Sequence, residues 1–277
     1  MRDLLASDPV DQTSPLQRSR GQAHASFVLR NERTCLERLH QAGCAKAMLP
    51  RTYGPCPEVV FLNTAGGITG GDRLRYGLDL GPGTRLVATT QTAERAYRSP
   101  EGAGDVALEF SLSAGAHLDW LPQETILFDG SDTCRTTRVD MAGDSTLLWA
   151  EMLVMGRAAM GEQLEHVALR DQRQIWRDGK PVFVEPLELS PEILSARAGL
   201  SGARAISTVA FLSADAKDAL ETVRALSFER VQIAASAWDG KLIIRAIASD
   251  AQPLKRAVAA LVTTLRRNVA LPRVWQV

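Results

Sequence analysis

Between Asn63 and Arg73 the chain reads Asn-Thr-Ala-Gly-Gly-Ile-Thr-Gly-Gly-Asp-Arg. Glycine at this density serves backbone amides that cradle a phosphate, turns with positive φ, or close approach of another segment. The phosphate chemistry fails on two counts. The spacing from Gly66 to Gly71 matches the outer glycines of a P-loop, but Asp72 stands where lysine is needed, and a carboxylate repels phosphate. A dinucleotide fingerprint needs a third-position glycine, where Ile68 stands, and a helix to follow. Leu74, Tyr76, Leu78 and Leu80 instead alternate as in a strand. What remains is a tight corner between two strands, entered from the apolar run Val59–Leu62.

A second chemistry is offered by carboxylates beside turns: Asp72 after the glycines, Glu124 after Leu121-Pro122-Gln123, Glu151 and Glu162. Most such groups are solvated. Glu151 differs, because it is flanked by Leu147-Leu148-Trp149 and Met152-Leu153-Val154 and must face outward or be paired. Arg157 is the nearest candidate partner. Such oxygens along an interior path could hand on a divalent cation, because sites that do not close a tetrahedral cage bind weakly.

Nucleophilic and zinc chemistry find little support. The sequence has no Cys-x-x-Cys, no His-x-x-x-His and no Gly-x-Ser-x-Gly. Cys44 and Cys56 flank a turn around Pro50–Pro57 and read as buried inert thiols, and His24, His40, His117 and His166 are scattered. The competing reading is an enzyme on a β scaffold, with Cys44 or Cys56 as nucleophile and a histidine as base.

The elements that must position these groups follow from composition and pattern. The 277 residues carry 32 basic and 32 acidic side chains, which argues against nucleic acid or an anionic membrane as partner and gives little colloidal repulsion. No window approaches the ~18 apolar residues of a membrane span. The N-terminus lacks the apolar core of a secretion signal, so the expected location is cytoplasmic and the cysteines are expected to be free. Residues 1–20 have no periodicity and read as a mobile tail. From 21 to 190, a dozen or so short strands are separated by turns, with clean alternation at Ala25, Phe27, Leu29 and at Val106, Leu108, Phe110, Leu112. No sequence repeat is visible, which leaves a sandwich, a barrel or an irregular solenoid open. Residues 191–277 read as a smaller α+β portion packed on that body: a short helix at Pro191, a strand 206–212, a helix over 215–228, and a hairpin across Asp239-Gly240. A last amphipathic helix, 254–265, carries Arg266 and Arg267 in its final turn.

Five segments, in order, resemble one family. Asn63–Arg73 is similar to the glycine-rich signature of the urease accessory protein UreD (UreH) family, with Gly66, Gly67, Gly70, Gly71 and Arg73 as its marks. Thr89–Ser99 resembles the segment that follows it there. Leu121–Phe128, with Gln123, is similar to the family's Pro-Gln-Glu motif, Gly156–Glu162, with Arg157, to its Gly-Arg…Gly-Glu segment, and Leu271–Trp275 to its ending. Ala65 departs, standing where the family commonly has a small polar residue. The resemblance implies an irregular β-helical body with helices near the C-terminal part. It also implies a non-catalytic urease maturation factor. Such a protein binds urease apoprotein and the accessory proteins UreF and UreG, holds no tight cofactor, and helps deliver a transient Ni²⁺ to the urease active site, with a water-filled tunnel proposed as its route. Asp72, Glu124, Glu151 and Glu162 are then the candidate metal path. A plain interaction module without metal transfer remains the alternative within this class.

Overall fold

The computed structural model describes residues 17–52, 56–196, 199–200 and 202–275. Most of the expected N-terminal tail, residues 1–16, lies outside them.

The chain opens with β1 (Arg20–Arg30), β2 (Arg33–Gly43), β3 (Ala45–Met48) and β4 (Glu58–Asn63), and the glycine turn follows. Three windings come next. The first is β5 (Arg73–Leu80), β6 (Arg85–Thr90) and β7 (Glu94–Ala96). The second is β8 (Gly104–Leu112), β9 (His117–Trp120) and β10 (Thr125–Leu127), and the third is β11 (Ser131–Met141) and β12 (Thr146–Met155). β13 (Val167–Arg177) starts a fourth and folds back as β14 (Lys180–Leu189). The result is a β-solenoid-like arrangement of about four turns.

Two sheets form its walls. In the first, β1, β5, β8, β11 and β13 pair in parallel, with β2 and β14 antiparallel at the ends. In the second, β4, β6, β9 and β12 are parallel, with β3 antiparallel at one end. A narrow third strip links Ile68 to β7, β7 to β10 and β10 to the end of β12. Strand alternation puts one face of each strand inside, and the parallel register stacks like on like: Leu78, Phe110, Val139 and Ile175 form one column. Phe61 lies 4.9 Å from Tyr76, and Phe110 lies 4.9 Å from Trp120, between the walls. The end strands are poor templates for further pairing. β14 carries Pro181 and Pro186, and β2 carries Arg33, Glu37 and Arg38.

The expected C-terminal elements are present, and they extend the second sheet. α1 (Pro191–Ser195) leads to β15 (Ala205–Leu212), which pairs with β12. The stretch expected as one helix over 215–228 is broken instead. A 3-10 turn at Ala214–Lys217 is followed by α2 (Leu220–Arg224) alone. β16 (Val231–Trp238) and β17 (Lys241–Ala248) make the expected hairpin, with φ of 45° at Asp239 and 69° at Gly240, as a primed turn requires. α3 (Ala251–Leu265) buries Leu254, Val258, Leu261, Val262 and Leu265 against the outer face of this sheet. Each such side chain contributes roughly 1.5–3 kcal/mol. Asp250 caps its start by accepting from the Gln252 amide. Arg266 and Arg267 stand at and beyond the C-cap rather than in the last turn, because the helix ends one residue before them. Among the described residues no helix is long and apolar enough to cross a membrane.

The glycine turn shows why four glycines are used. Gly66 and Gly71 have φ of 82° and 81°. A Cβ on Gly67 would lie 2.3 Å from the Tyr97 ring, and one on Gly70 would lie 2.3 Å from the Glu101 carbonyl oxygen. So two glycines supply left-handed backbone and two admit the next winding. Gly70→Ala should therefore lose about 1–3 kcal/mol in urea unfolding, since backbone rather than a flexible side chain must yield. A Gly70→Ala chain as stable as the parent would show that the two windings do not touch there.

Candidate functional site

Along β11 the side chains of Ser131, Thr133, Arg135 and Thr137 share one face with Val139 and Met141, and all six are buried. In β13 the inward positions run Val167, Leu169, Asp171, Arg173, Ile175. The parallel register sets Arg135 beside Asp171 and Thr137 beside Arg173. The solenoid interior therefore changes along its axis, from an apolar stack near Phe61 and Trp120 to a polar seam at the closing end.

Ion pairs organise that seam. Arg135 Nη2 lies 2.8 Å from Glu151 Oε2 and 2.5 Å from Asp171 Oδ2. Arg173 lies 2.7 Å from Asp171, 2.7 Å from Glu185 of β14 and 3.4 Å from Glu151. Trp120 Nε1 donates to Glu151 at 3.2 Å, and Arg245 of β17 reaches Glu185 from solvent at 2.6 Å. Three guanidiniums thus meet three carboxylates. Glu151 is 3% exposed, which decides between the two readings that the sequence left open: it is paired, not outward-facing. Its partners are Arg135 and Arg173 rather than the expected Arg157. Strand β12 carries Glu151 into the interior, whereas Arg157 lies beyond the turn at Gly156 and binds Glu162. Burial works to raise the Asp171 carboxyl, but the guanidiniums of Arg135 and Arg173 outweigh it and hold it below its ordinary value. Burial likewise opposes the charge on Arg135, and Asp171 and Glu151 more than offset this.

Several buried polar atoms around the seam have no protein partner: Ser131 Oγ, Thr137 Oγ1, Trp149 Nε1, Asp171 Oδ1 and Ser207 Oγ. Buried polar atoms in native proteins are hydrogen-bonded, to water where no protein group reaches. Among the described residues no three His, Cys, Asp or Glu side chains converge to hold a metal ion. The seam is a matrix of fixed, balanced charge with unspent oxygens, not a chelate.

The other candidate carboxylates are dispersed. Asp72 is buried and accepts the backbone amides of Ser19 and Thr69 at 2.7 and 3.0 Å, which staples the glycine turn. Glu124 meets Lys255 Nζ of α3 at 3.1 Å, and the same ammonium lies 2.6 Å from Gln123 Oε1. These two contacts tie the body to the last helix. Glu162 receives Arg157 Nε at 2.9 Å and the amides of Arg157 and Asp129, and these bonds hold it down at about 2. Among the described residues no hydrogen bond or ion pair joins any two of Asp72, Glu124, Glu151 and Glu162. Arg73 is exposed and its backbone amide donates to Ser19.

The sequence reading missed Asp171, Arg173, Glu185 and Arg135. Their signal was present as charges at inward positions of alternating strands, but it becomes visible only once inward is known. It also passed over Glu94, in the segment after the glycine turn. Its carboxylate accepts from Asn63 Nδ2 at 3.1 Å in a crevice lined by Phe61, Gly66 and Tyr76, where burial pushes its pKa up to about 7. The four cysteines are free and half-buried rather than buried. Burial pushes the Cys44 thiol up, the opposite of an activated nucleophile, and among the described residues no cysteine bonds a histidine.

Arg173→Met should cost about 3–5 kcal/mol in denaturant unfolding, because it leaves Asp171 and Glu185 short of a buried counter-charge. Arg138→Met, at the exposed Arg138–Asp140 pair, should leave the unfolding midpoint close to the parent's. Glu94 gives a pH signature. Its folded pKa lies above the ordinary 4.5, so its contribution to stability is full below that value and is lost as the pH rises through about 7. Glu94→Gln should match the parent at pH 4 and exceed it in thermal stability at pH 8. An equal difference at both pH values would contradict the burial of that carboxyl.

The sequence comparisons agree with one another. The model of the UreD urease accessory protein family matches residues 19–276. The chain is 59% identical to the urease accessory protein UreD of Dinoroseobacter shibae over the whole of both chains. It is 51% identical to that of Cereibacter sphaeroides, covering 94% of this chain and 96% of the relative, and 45% identical to that of Paracoccus denitrificans over the whole of both. On a match of this extent, the chain belongs to the UreD urease accessory protein family.

Proposed function

We propose that this protein is a cytoplasmic urease maturation factor: a non-catalytic scaffold that binds urease apoprotein, UreF and UreG and helps deliver Ni²⁺ to the urease active site. Family membership supports the link to urease. The observation that carries the delivery reading is the polar seam inside the solenoid. Apolar packing suffices to close a β-solenoid, yet here the interior holds balanced charges and unpartnered oxygens on Ser131, Thr137, Asp171 and Ser207. Oxygen donors that do not complete a cage hold a borderline cation weakly, as a hand-off requires. Among the four path carboxylates, Glu151 has the setting for this role. Asp72 and Glu162 spend their oxygens on backbone amides and Arg157, which favours structural duties for them.

One observation favours the alternative of an interaction module that nickel never enters. Every carboxylate of the seam already faces a guanidinium, so a cation entering there competes with arginines for charge that is already neutralised. Nickel content separates the two readings. In a urease-negative host expressing urease apoprotein, UreF and UreG, addition of this chain should raise urease nickel and activity. Glu151→Gln, which keeps the shape, should lower both by about tenfold or more, while UreF still co-purifies. Full metallation without this chain would defeat the maturation reading. Unaltered metallation with Glu151→Gln would leave the scaffold and remove the path.

A further inference from the structure

A cavity of about 680 Å³ lies on the outer face of the second sheet, where the corners of the windings meet the end of α3. It shares no lining residue with the seam. Its floor is apolar, from Val87, Leu148 and Phe211. Five arginines line it, and they divide into two groups.

Arg266 and Arg267 are committed. Arg266 Nε lies 2.8 Å from Asp119 Oδ2, whose other oxygen lies 2.9 Å from His117 Nε2, and Arg267 lies 3.1 Å from Asp215. The end of a helix presents carbonyl oxygens that repel anions. Here the amides of Arg266, Asn268 and Arg267 take up the carbonyls of Val262, Thr263 and Thr264, which blunts that repulsion, and Arg266 Nη1 donates to the carbonyls of Val269 and Ala270 beyond the helix. The other three, Arg51, Arg85 and Arg273, have exposed side chains that form no hydrogen bond or ion pair with the described residues. Against them stands one carboxylate, Glu58, which feels the charges of Arg266 and Arg273 but forms no ion pair within the described residues. Three free guanidiniums less one carboxylate leave the cavity with an excess of two positive charges, although the whole chain is neutral.

We propose that this cavity binds a small amphipathic organic anion, whose carboxylate or phosphate oxygens meet Arg51, Arg85 and Arg273 while its apolar part lies on Val87, Leu148 and Phe211. Guanidinium groups match the planar oxygen pairs of carboxylates and phosphates, and an apolar floor with a few convergent charges is the usual build of a small-molecule site. The volume falls in the range of about 300–1,000 Å³ common for such sites.

The probe is 8-anilinonaphthalene-1-sulfonate, which joins an anionic group to an apolar ring system, titrated by fluorescence into the full-length chain. One saturable site is expected. The double variant Arg85→Ala/Arg273→Ala, checked for an unchanged thermal transition, should bind at least tenfold more weakly, and Arg138→Ala should bind like the parent. Citrate and ADP serve as competitors. Displacement by citrate identifies a carboxylate ligand, and displacement by ADP a phosphate ligand. Displacement by neither, or equal binding by the double variant, would overturn the proposal.

Discussion

The pairing of Arg135 and Arg173 with Asp171, Glu151 and Glu185 is the constraint on which the closing end of this molecule depends. Five charged groups are removed from water there, at a desolvation cost of several kcal/mol per ion. The cost is offset only if each charge meets its partner in good geometry. Those partners come from four different strands, β11, β12, β13 and β14, with Arg245 of β17 closing the set. A slip of one residue in β13 would turn Asp171 and Arg173 to solvent and bring Arg170 and Gln172 inside. The charges therefore fix the register of the last winding more tightly than an apolar column could.

Much of the architecture was legible in the sequence. Alternation at Leu74–Leu80 and Val106–Leu112 marked inward faces correctly, Asp239-Gly240 marked the hairpin, and Leu254–Leu265 marked the buried face of α3. Sandwich and solenoid could not be separated by pattern, because both present the same alternation and differ only in which strands pair. That choice is long-range: Arg73 lies beside Asp105, Asp105 beside Cys134, and Cys134 beside Arg170. The windings stack without repeating in sequence, since their shared requirement is only an inward apolar or complementary side chain. The helix expected over 215–228 broke into two short pieces after Ser213 capped a 3-10 turn, a local choice that helical spacing does not reveal.

The site was less legible, for a physical reason. A charge at an inward position looks like a surface charge until its partner is known, so nothing in the sequence singles out Asp171 and Arg173. Glu151 stood out only because its neighbours were apolar on both sides. Asp72 and Glu162 stood out because turns expose carboxylates, yet both are spent on turn amides. The glycine run was informative in the way its density suggested. Its glycines divide between positive φ and close approach, and Asn63 and Asp72 tie the turn from either side.

The strand order has a consequence for synthesis. A chain leaving the ribosome N-terminus first can wind β5 to β12 before Asp171, Arg173, Glu185 or Arg245 exists. Until then the growing end displays the Arg135–Glu151 pair without Asp171 and Arg173, on an unfinished surface bordered by open sheet edges. The molecule becomes self-contained only when its final third has emerged, so a translational pause just after Met155 leaves the edges of β11 and β12 without the strands that cover them.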